Sequence, residues 1–256
     1  MTTAWLVTLS GLLGLAVGSF LNVCIYRLPL EQSLVFPASH CTNCHRKLSW
    51  FENVPVLAWV VLRGRCRTCR APISAVYPAV ELFTGVMFAW AAWRYGPGLL
   101  LVSRLLFGCM LIVLFFIDLR HRILPNPITV GGTVVGFILS FVTGPGWVSS
   151  LIGLVIGGLI PLLLAEAYLR VRKMEGLGMG DVKMLALIGA FLGWQLVLLT
   201  LAVASVLGSL VGLGMMLSRR GDMKYALPFG TFLSIAALFA AAAGEPIVQW
   251  YVGFYR

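Results

Sequence analysis

Long runs of apolar residues, interrupted by short polar stretches, dominate the chain. The apolar segments cover about 4–25, 76–94, 98–117, 127–143, 148–169, 183–194, 195–217 and 228–243. A helix needs roughly 20 apolar residues to cross a bilayer, and most of the segments approach that length. The pattern therefore predicts an all-α polytopic membrane protein with about eight transmembrane helices, of which the sixth is short for a span.

Glycine and proline mark the boundaries between several of these segments. Breaks are predicted at Gly96-Pro97-Gly98, at Pro125-Asn126-Pro127 and at Gly144-Pro145-Gly146, which are typical turn sequences. The sixth and seventh segments are joined by Gly193-Trp194-Gln195, the least distinct boundary of the series.

Residues 26–75 form the one sizeable polar stretch, and they lie between the first and second apolar segments. A segment of about 50 residues buries too little apolar surface to stay folded without a bound metal or another cross-link. Three regions are therefore expected: a first transmembrane helix over 1–25, a loop domain over 26–75, and a transmembrane domain over 76–256.

Composition and charge support the membrane interpretation. The mean hydropathy is +0.95 and charged residues make up 11% of the chain, which excludes an ordinary soluble domain. The net charge of +10 could indicate a protein that binds a polyanion such as nucleic acid. However, most Lys and Arg are clustered in four segments, 26–75, 118–126, 170–183 and 218–227. Positive residues concentrate in the cytoplasmic loops of membrane proteins, so the clustering reports topology rather than nucleic-acid binding. Membrane lipid is therefore an expected partner, and nucleic acid is not.

The same charge pattern predicts the topology of the first helix. No Lys or Arg precedes Arg27, which follows the first apolar run, so the start of the chain does not resemble a signal peptide. The first helix is expected to have its N-terminus outside and its C-terminus in the cytoplasm. Eight spans would then place the C-terminus of the chain outside as well.

Four cysteines in the loop have the spacing of a metal site. Cys41 and Cys44 form one C-x-x-C pair, and Cys66 and Cys69 form a second pair, with 21 residues between the two pairs. Two such pairs can close a tetrahedron around a structural zinc ion with no open coordination position. A redox dithiol pair is the weaker alternative in a reducing compartment.

The remaining cysteines and the histidines that flank the first pair are expected to play no part in metal binding. His40 and His45 are interpreted as surface loop residues, because four thiolates already suffice for zinc. Cys24 and Cys109 lie within apolar segments and are interpreted as small buried hydrophobic residues.

Two aspartates lie at the ends of apolar segments. Asp118 ends the third segment, and Asp181 follows Gly178-Met179-Gly180 and precedes the sixth. Simple alternatives are a salt bridge from Asp118 to Arg120 or Arg122 and a helix N-cap at Asp181. A carboxylate at a membrane edge is costly, however, and two on the same side can share a proton as an acid-protease dyad. Asp118 and Asp181 are therefore predicted to be catalytic.

Sequence motifs along nearly the whole chain resemble those of the type IV prepilin peptidases. The first helix has Gly18-Ser19-Phe20-Leu21-Asn22-Val23 and Arg27-Leu28-Pro29, the loop has its four cysteines, and the second helix has Glu81-Leu82. Further along come Asp118, Leu124-Pro125-Asn126, Gly178-Met179-Gly180-Asp181-Val182-Lys183 and Leu227-Pro228-Phe229-Gly230. Thr231 departs from the pattern, because proline is expected there, and the assignment does not depend on it.

The resemblance implies a bifunctional enzyme of the bacterial inner membrane. Such an enzyme cleaves the leader of type IV prepilins and of type II secretion pseudopilins after a glycine, on the cytoplasmic side. It then N-methylates the new N-terminus with S-adenosylmethionine as methyl donor. The resemblance maps the catalytic aspartates of this GxGD-type protease to Asp118 and Asp181. It also makes the cysteine loop a methyltransferase-associated region, with Glu81 as the one candidate for contact with the methyl donor.

Two other classes of function are alternatives to the enzyme. A membrane scaffold that docks partners through its zinc loop would need the cysteines but not the aspartates. A proton or ion transporter would use carboxylates as a relay near the bilayer midplane, whereas both aspartates are predicted at a membrane edge. Loss of leader cleavage on Asp→Asn substitution would distinguish the enzyme from both.

Overall fold

The protein is described by a computed structural model that covers residues 2–173, 178–218 and 227–254. Within those ranges it contains nine α-helices and no β-strand. The helices are α1 Thr2–Arg27, α2 Leu57–Val61, α3 Val76–Tyr95, α4 Leu99–His121, α5 Asn126–Leu139, α6 Trp147–Arg172, α7 Met179–Leu192, α8 Trp194–Leu217 and α9 Phe229–Gly253.

Six of these helices are long and apolar enough to cross a membrane, namely α1, α3, α4, α6, α8 and α9. The helices α5 and α7 have 14 residues each, which is short of the roughly 20 that a span needs. The prediction of an all-α, multi-pass membrane protein with a cysteine-bearing loop between its first two long helices is confirmed. Parts of the basic segments 170–183 and 218–227 lie outside the described residues.

The first compact unit comprises residues 1–105, and the pairing of α1 with α3 organises it. Gly14 and Gly18 lie four residues apart on the side of α1 that faces α3. A Cβ at Gly14 would lie 2.8 Å from the backbone of Gly85, and one at Gly18 would lie 2.7 Å from Cα of Glu81. Only glycine lets the two backbones approach this closely, as in other membrane helix pairs with small residues at the contact.

The second unit comprises residues 106–256 and has a large apolar core. Its centre is α7, whose residues from Val182 to Leu192 are almost all buried. The helix packs against α5, α6, α8 and α9, and the core includes Phe107, Leu111 and Leu114 of α4. A short helix that is buried on all sides keeps its backbone bonds satisfied without having to span the bilayer itself.

The boundary between α7 and α8 falls at a single residue, Gly193, at the join expected from the sequence. Its φ of +81° is a conformation that favours glycine, and a Cβ there would meet Oγ of Ser149 and the ring of Pro145. The turn is therefore sharp enough to separate two apolar helices that no polar linker divides.

Candidate active site and metal centre

Asp118 lies in the last turn of α4. The helix ends at His121, and Arg122 takes a left-handed conformation with φ +55° while its N–H donates to the carbonyl of Asp118 at 2.9 Å. This is the usual way for a helix to stop, although glycine is the commoner residue for it. The side chain of Asp118 is buried at 4% exposure, and the charge of Arg122 acts on it. A buried carboxyl at a helix end needs partners, and the second unit supplies them.

Asp181 lies in the first turn of α7, and its carboxyl interacts electrostatically with that of Asp118. The residue at the N-cap is Gly178, so the alternative that Asp181 caps the helix is wrong. A Cβ at Gly178 would lie 3.3 Å from Oδ2 of Asp181, because the carboxyl folds back over that glycine. The structure thus brings the two predicted aspartates together from α4 and α7.

The hydrogen-bond partner of Asp118 is Thr231, a residue that the sequence did not single out as functional. The backbone N–H of Thr231 donates to Oδ2 of Asp118 at 2.7 Å, and its hydroxyl donates to the same oxygen at 3.0 Å. Thr231 lies in the first turn of α9, where backbone N–H groups have no partner within the helix. The one available signal was its departure from the expected proline, which can supply neither donor.

Two glycines create the space in which these groups meet. A Cβ at Gly180 would lie 3.1 Å from Cβ of Leu124, and one at Gly230 would lie 3.1 Å from both Cγ of Asp118 and Cδ1 of Leu124. Leu124 therefore fits between the first turns of α7 and α9. A methyl group at Gly230 would displace the Asp118 carboxyl directly.

The four loop cysteines belong to two knuckles with the same backbone geometry. The N–H of Cys41 bonds the carbonyl of Arg46, and the N–H of Cys66 bonds that of Ala71, five residues on in each case. The residues after the second cysteine of each pair, His45 and Arg70, are left-handed with φ of +56° and +59°. Isolated bridges pair His40 with Lys47 and Arg65 with Pro72 just outside the two turns.

This geometry fits a tetrahedral metal ion. The four Sγ atoms all lie within 4.8 Å of one another, and those of Cys41 and Cys69 are 3.8 Å apart. For Zn–S bonds of about 2.3 Å, the edge of a regular tetrahedron is about 3.8 Å. All four cysteines are free of disulfides. The cluster can therefore hold a metal ion, and four thiolates would leave no site on it for substrate.

The thiols of the cluster ionise unequally. Backbone N–H groups of Cys69 and Thr68 lower the pKa of Cys66 to about 6. The backbone N–H of Arg46 also favours the thiolate of Cys44, but burial and the neighbouring thiols outweigh it and raise the pKa of Cys44 to about 11. Four thiolates in so small a space repel one another, and a bound dication would remove that repulsion.

An ion pair supports the first knuckle. The guanidinium of Arg46 donates to Oε1 of Glu52 at 2.6 Å, while Oε2 of Glu52 accepts the N–H of Ser49 at 2.8 Å. The side chain of Glu52 is 2% exposed. The Arg46 hydrogen bond lowers the pKa of Glu52 to about 2, so the pair is charged at neutral pH.

Glu81, the candidate for the methyl-donor site, contacts the loop. Its Oε2 accepts the backbone N–H of Val56 at 2.7 Å. Val56 is the centre of a tight turn with φ +61° and ψ −51°, closed by a 2.6 Å bond from Leu57 N to Pro55 O. A β-branched residue in that conformation is strained by about 1–3 kcal/mol. The structure thus gives Glu81 one definite role, holding a strained turn, and methyl transfer stays a prediction.

The second unit thus has a carboxyl pair at helix ends, with Asp118 buried and Asp181 partly buried. The loop of the first unit has four cysteines that can hold a metal ion. Both lie in a multi-pass membrane protein. Comparison with known families gives two matches. Residues 12–95 match the bacterial peptidase A24 N-terminal domain, and residues 105–213 match the type IV leader peptidase family. The first match covers the loop with its cysteines and Glu81, and the second covers Asp118 and Asp181. Thr231 lies beyond both.

Curated relatives share a name that states two activities. The chain is 36% identical to the prepilin leader peptidase/N-methyltransferase of Aeromonas hydrophila, over 94% of this chain and 92% of the relative. It is 38% identical to that of Pseudomonas putida, over 96% and 94%. Identity to the Myxococcus xanthus enzyme is 44% over 80% of this chain, which spans 62% of that relative's length. No solved structure shows significant similarity. The chain belongs to the prepilin leader peptidase/N-methyltransferase family.

Proposed function

We propose that this protein cleaves the leader peptides of type IV prepilins and type II secretion pseudopilins after a glycine and then N-methylates the new N-terminal residue. It would act in the bacterial inner membrane, with its active site on the cytoplasmic side. The observation that carries the proposal is the meeting of Asp118 and Asp181 in a chain of this family. The name that the relatives share supports both activities.

In the proposed cleavage, the two aspartates act as one acid–base unit. The ionised carboxylate takes a proton from water, whose oxygen bonds to the carbonyl carbon of the leader's glycine. The protonated carboxyl donates a hydrogen bond to the carbonyl oxygen, which gains negative charge as the tetrahedral intermediate forms. The C–N bond then breaks, and the leaving amine takes up a proton from the dyad. Two carboxyls this close titrate as a pair, so one proton shared between them is their expected resting state.

The methyl transfer is assigned to the first unit, with residues 26–75 as the region that builds its site. We propose zinc as the metal held by Cys41, Cys44, Cys66 and Cys69, and its role would be to keep this small loop folded. S-adenosylmethionine would supply the methyl group. Glu81 is the candidate residue for that site, and its bond to Val56 would also fix the loop against α3.

The test is leader cleavage of a purified prepilin by full-length protein in detergent. Asp118→Asn and Asp181→Asn are each expected to reduce kcat by about 10⁴-fold or more, because neither amide can carry out the proton transfers of the dyad. Glu166→Gln is the matched control, since Glu166 forms only a surface ion pair with Arg170 on α6. Its activity is expected to equal that of the wild type.

Substantial cleavage by either Asp→Asn variant would remove that aspartate from the proposed dyad. Loss of activity in the Glu166→Gln control would show that the assay responds to any acid-to-amide change. Equal thermal unfolding temperatures for the three variants would establish that the aspartates act on chemistry rather than on folding.

A further inference from the structure

We infer that Thr231 is a positioning residue that holds Asp118 as the hydrogen-bond acceptor of the dyad, so that Asp118 begins the reaction ionised and Asp181 begins it protonated. This inference rests on the proposed function, because it presumes that Asp118 and Asp181 are the catalytic pair. It adds a third residue to the site and assigns separate starting roles to the two aspartates.

The geometry behind the inference is the convergence of two donors on one oxygen. Both the N–H and the hydroxyl of Thr231 reach Oδ2 of Asp118, at 2.7 and 3.0 Å. Thr231 and Asp118 are 6% and 4% exposed, so neither group exchanges these bonds freely with water. A backbone N–H can only donate, and an oxygen that accepts from it is a poor position for the dyad's proton.

The position of Thr231 on α9 strengthens this preference. It lies in the first turn of the helix, where unpaired N–H groups and the helix dipole favour a negative charge. Asp181 is also in a first turn, but its carboxyl folds back over Gly178 and accepts a hydrogen bond from the backbone of that one residue, within its own segment. Asp118 is therefore the member of the pair that receives donors from a second helix, and we assign it the proton-accepting role toward water.

Two buried hydroxyls of the second unit, those of Thr200 and Ser234, bond within their own helices, whereas those of Ser150 and Thr231 cross to another helix. The hydroxyls of Thr200 and Ser234 donate to carbonyls four residues earlier in their own helices, those of Leu196 and Gly230. This self-contained bond is the ordinary arrangement for a buried Ser or Thr in a helix. The Thr231 hydroxyl instead crosses to α4, which is what a residue that orients a catalytic carboxyl would do.

The experiment measures kcat and KM for prepilin cleavage by four full-length variants. Thr231→Val keeps the shape and the N–H but loses the hydroxyl, and kcat is expected to fall about tenfold with KM unchanged. Thr231→Ser restores the hydroxyl and is expected to recover kcat to within about twofold. Thr231→Ala also loses the hydroxyl, and kcat is expected to fall about tenfold, as in the valine variant. Thr200→Val is the matched control and is expected to leave kcat unchanged.

Several outcomes would overturn the inference. A Thr231→Val variant with the kcat of the wild type, beside an inactive Asp118→Asn, would remove Thr231 and leave the proposed dyad intact. A rise in KM with kcat unchanged would make Thr231 a substrate contact instead. An active Asp118→Asn variant would contradict the proposed function itself, whatever the threonine variants do.

A folding defect would not leave the question open. If Thr231→Val does not yield folded protein by thermal unfolding, Thr231→Ala and Thr231→Ser form a second pair that differs chiefly in the hydroxyl. An impaired alanine variant with an active serine variant supports the positioning role. Equal activity in both overturns it.

Discussion

The two units of this protein build their candidate sites in different ways. In residues 106–256, the functional side chains stand on helix ends above a core in which Leu114, Ile117 and Leu185 are fully buried. In the loop of the first unit, between residues 28 and 75, only Gly64 and Cys66 are buried. The aspartates are thus positioned by packing. The loop is held by polar contacts, which include the bonds from Arg27 to the carbonyls of Ser33 and Pro37, one ion pair and the Glu81 bond. Perturbing one kind of support should therefore leave the other activity largely unchanged.

Removing the metal ligands is expected to have the largest effect, because it should abolish one activity and spare the other. Replacing Cys41, Cys44, Cys66 and Cys69 by serine is expected to abolish zinc binding and methyl transfer, because so small a loop has no core to replace the bound metal. Leader cleavage is expected to persist at a measurable rate. Metal analysis, together with mass spectrometry of the processed pilin, would detect cleaved but unmethylated product.

The other two cysteines supply the control for that experiment. Cys24→Ser and Cys109→Ser change thiols outside the cluster and are expected to retain one zinc per chain and full methylation. Fully methylated product from the four-serine variant would show that the metal centre is not needed for methyl transfer. Zinc that persists in that variant would show that other residues hold the metal.

A substitution beside Asp118 tests the opposite case, in which the packing around the aspartates is changed and the cysteine loop is left intact. Gly230→Ala places a methyl group 3.1 Å from Cγ of Asp118, which forces the carboxyl away from Thr231. Leader cleavage is expected to fall about tenfold, since the carboxyl must shift by a few tenths of an ångström and a full displacement of about 1 Å at a reacting group costs about 100-fold. Methylation of a synthetic peptide that already has the mature N-terminus is expected to be unchanged.

Gly131→Ala is the matched variant, because a Cβ at Gly131 meets nothing within 4 Å. Its cleavage rate is expected to match that of the wild type. If Gly230→Ala impaired methylation of the mature peptide as strongly as cleavage, the two activities would not divide between the units as proposed.

A smaller effect is expected at Glu81 and distinguishes its two possible roles. Glu81→Gln keeps an oxygen that can accept the Val56 N–H but removes the charge, whereas Glu81→Ala removes both. If Glu81 only holds the turn, the glutamine variant should methylate within about threefold of the wild type and the alanine variant about tenfold more slowly. Equal loss in both variants would indicate that methyl transfer needs the carboxylate itself.

The smallest effect is expected at the Arg46–Glu52 pair. Glu52→Gln is expected to let a chelator remove zinc severalfold faster, with cleavage unaffected. The pKa of Glu52 is lowered on folding, so its contribution to stability is present above its unfolded value and is lost as pH falls toward about 2. Zinc release followed with a colorimetric chelator would measure the effect. Identical release rates would show that the pair is not a support of the loop.

The sequence predicted those features that depend on local pattern. Apolar runs and the Gly–Pro breaks predicted the eight apolar helices α1 and α3 to α9, of which six are long enough to span a membrane. The C-x-x-C spacing predicted both knuckles, because the bonds of a knuckle span five residues. The join at Gly193 was also predictable, since only glycine suits so sharp a turn between two apolar segments.

Contacts between distant residues were less accessible. The bond from Thr231 to Asp118 joins residues 113 positions apart, and that from Val56 to Glu81 joins residues 25 apart. Neither follows from periodicity, because both depend on how helices and loop pack. The meeting of Asp118 and Asp181 was predictable only through their shared position at segment ends. Thr231 shows that a departure from a family pattern can add a hydrogen bond to a candidate catalytic residue.

The glycine contact between α1 and α3 has a consequence for the order in which the protein is made. The atoms nearest to a Cβ built at Gly14 or Gly18 belong to Glu81, Thr84, Gly85 and Phe88, all of which precede Tyr95 at the end of α3. Domains generally fold as units during synthesis, with the N-terminal one first. The helix pair and the cysteine loop between its members can therefore assemble and take up metal while the ribosome is still translating the helices that bear the aspartates.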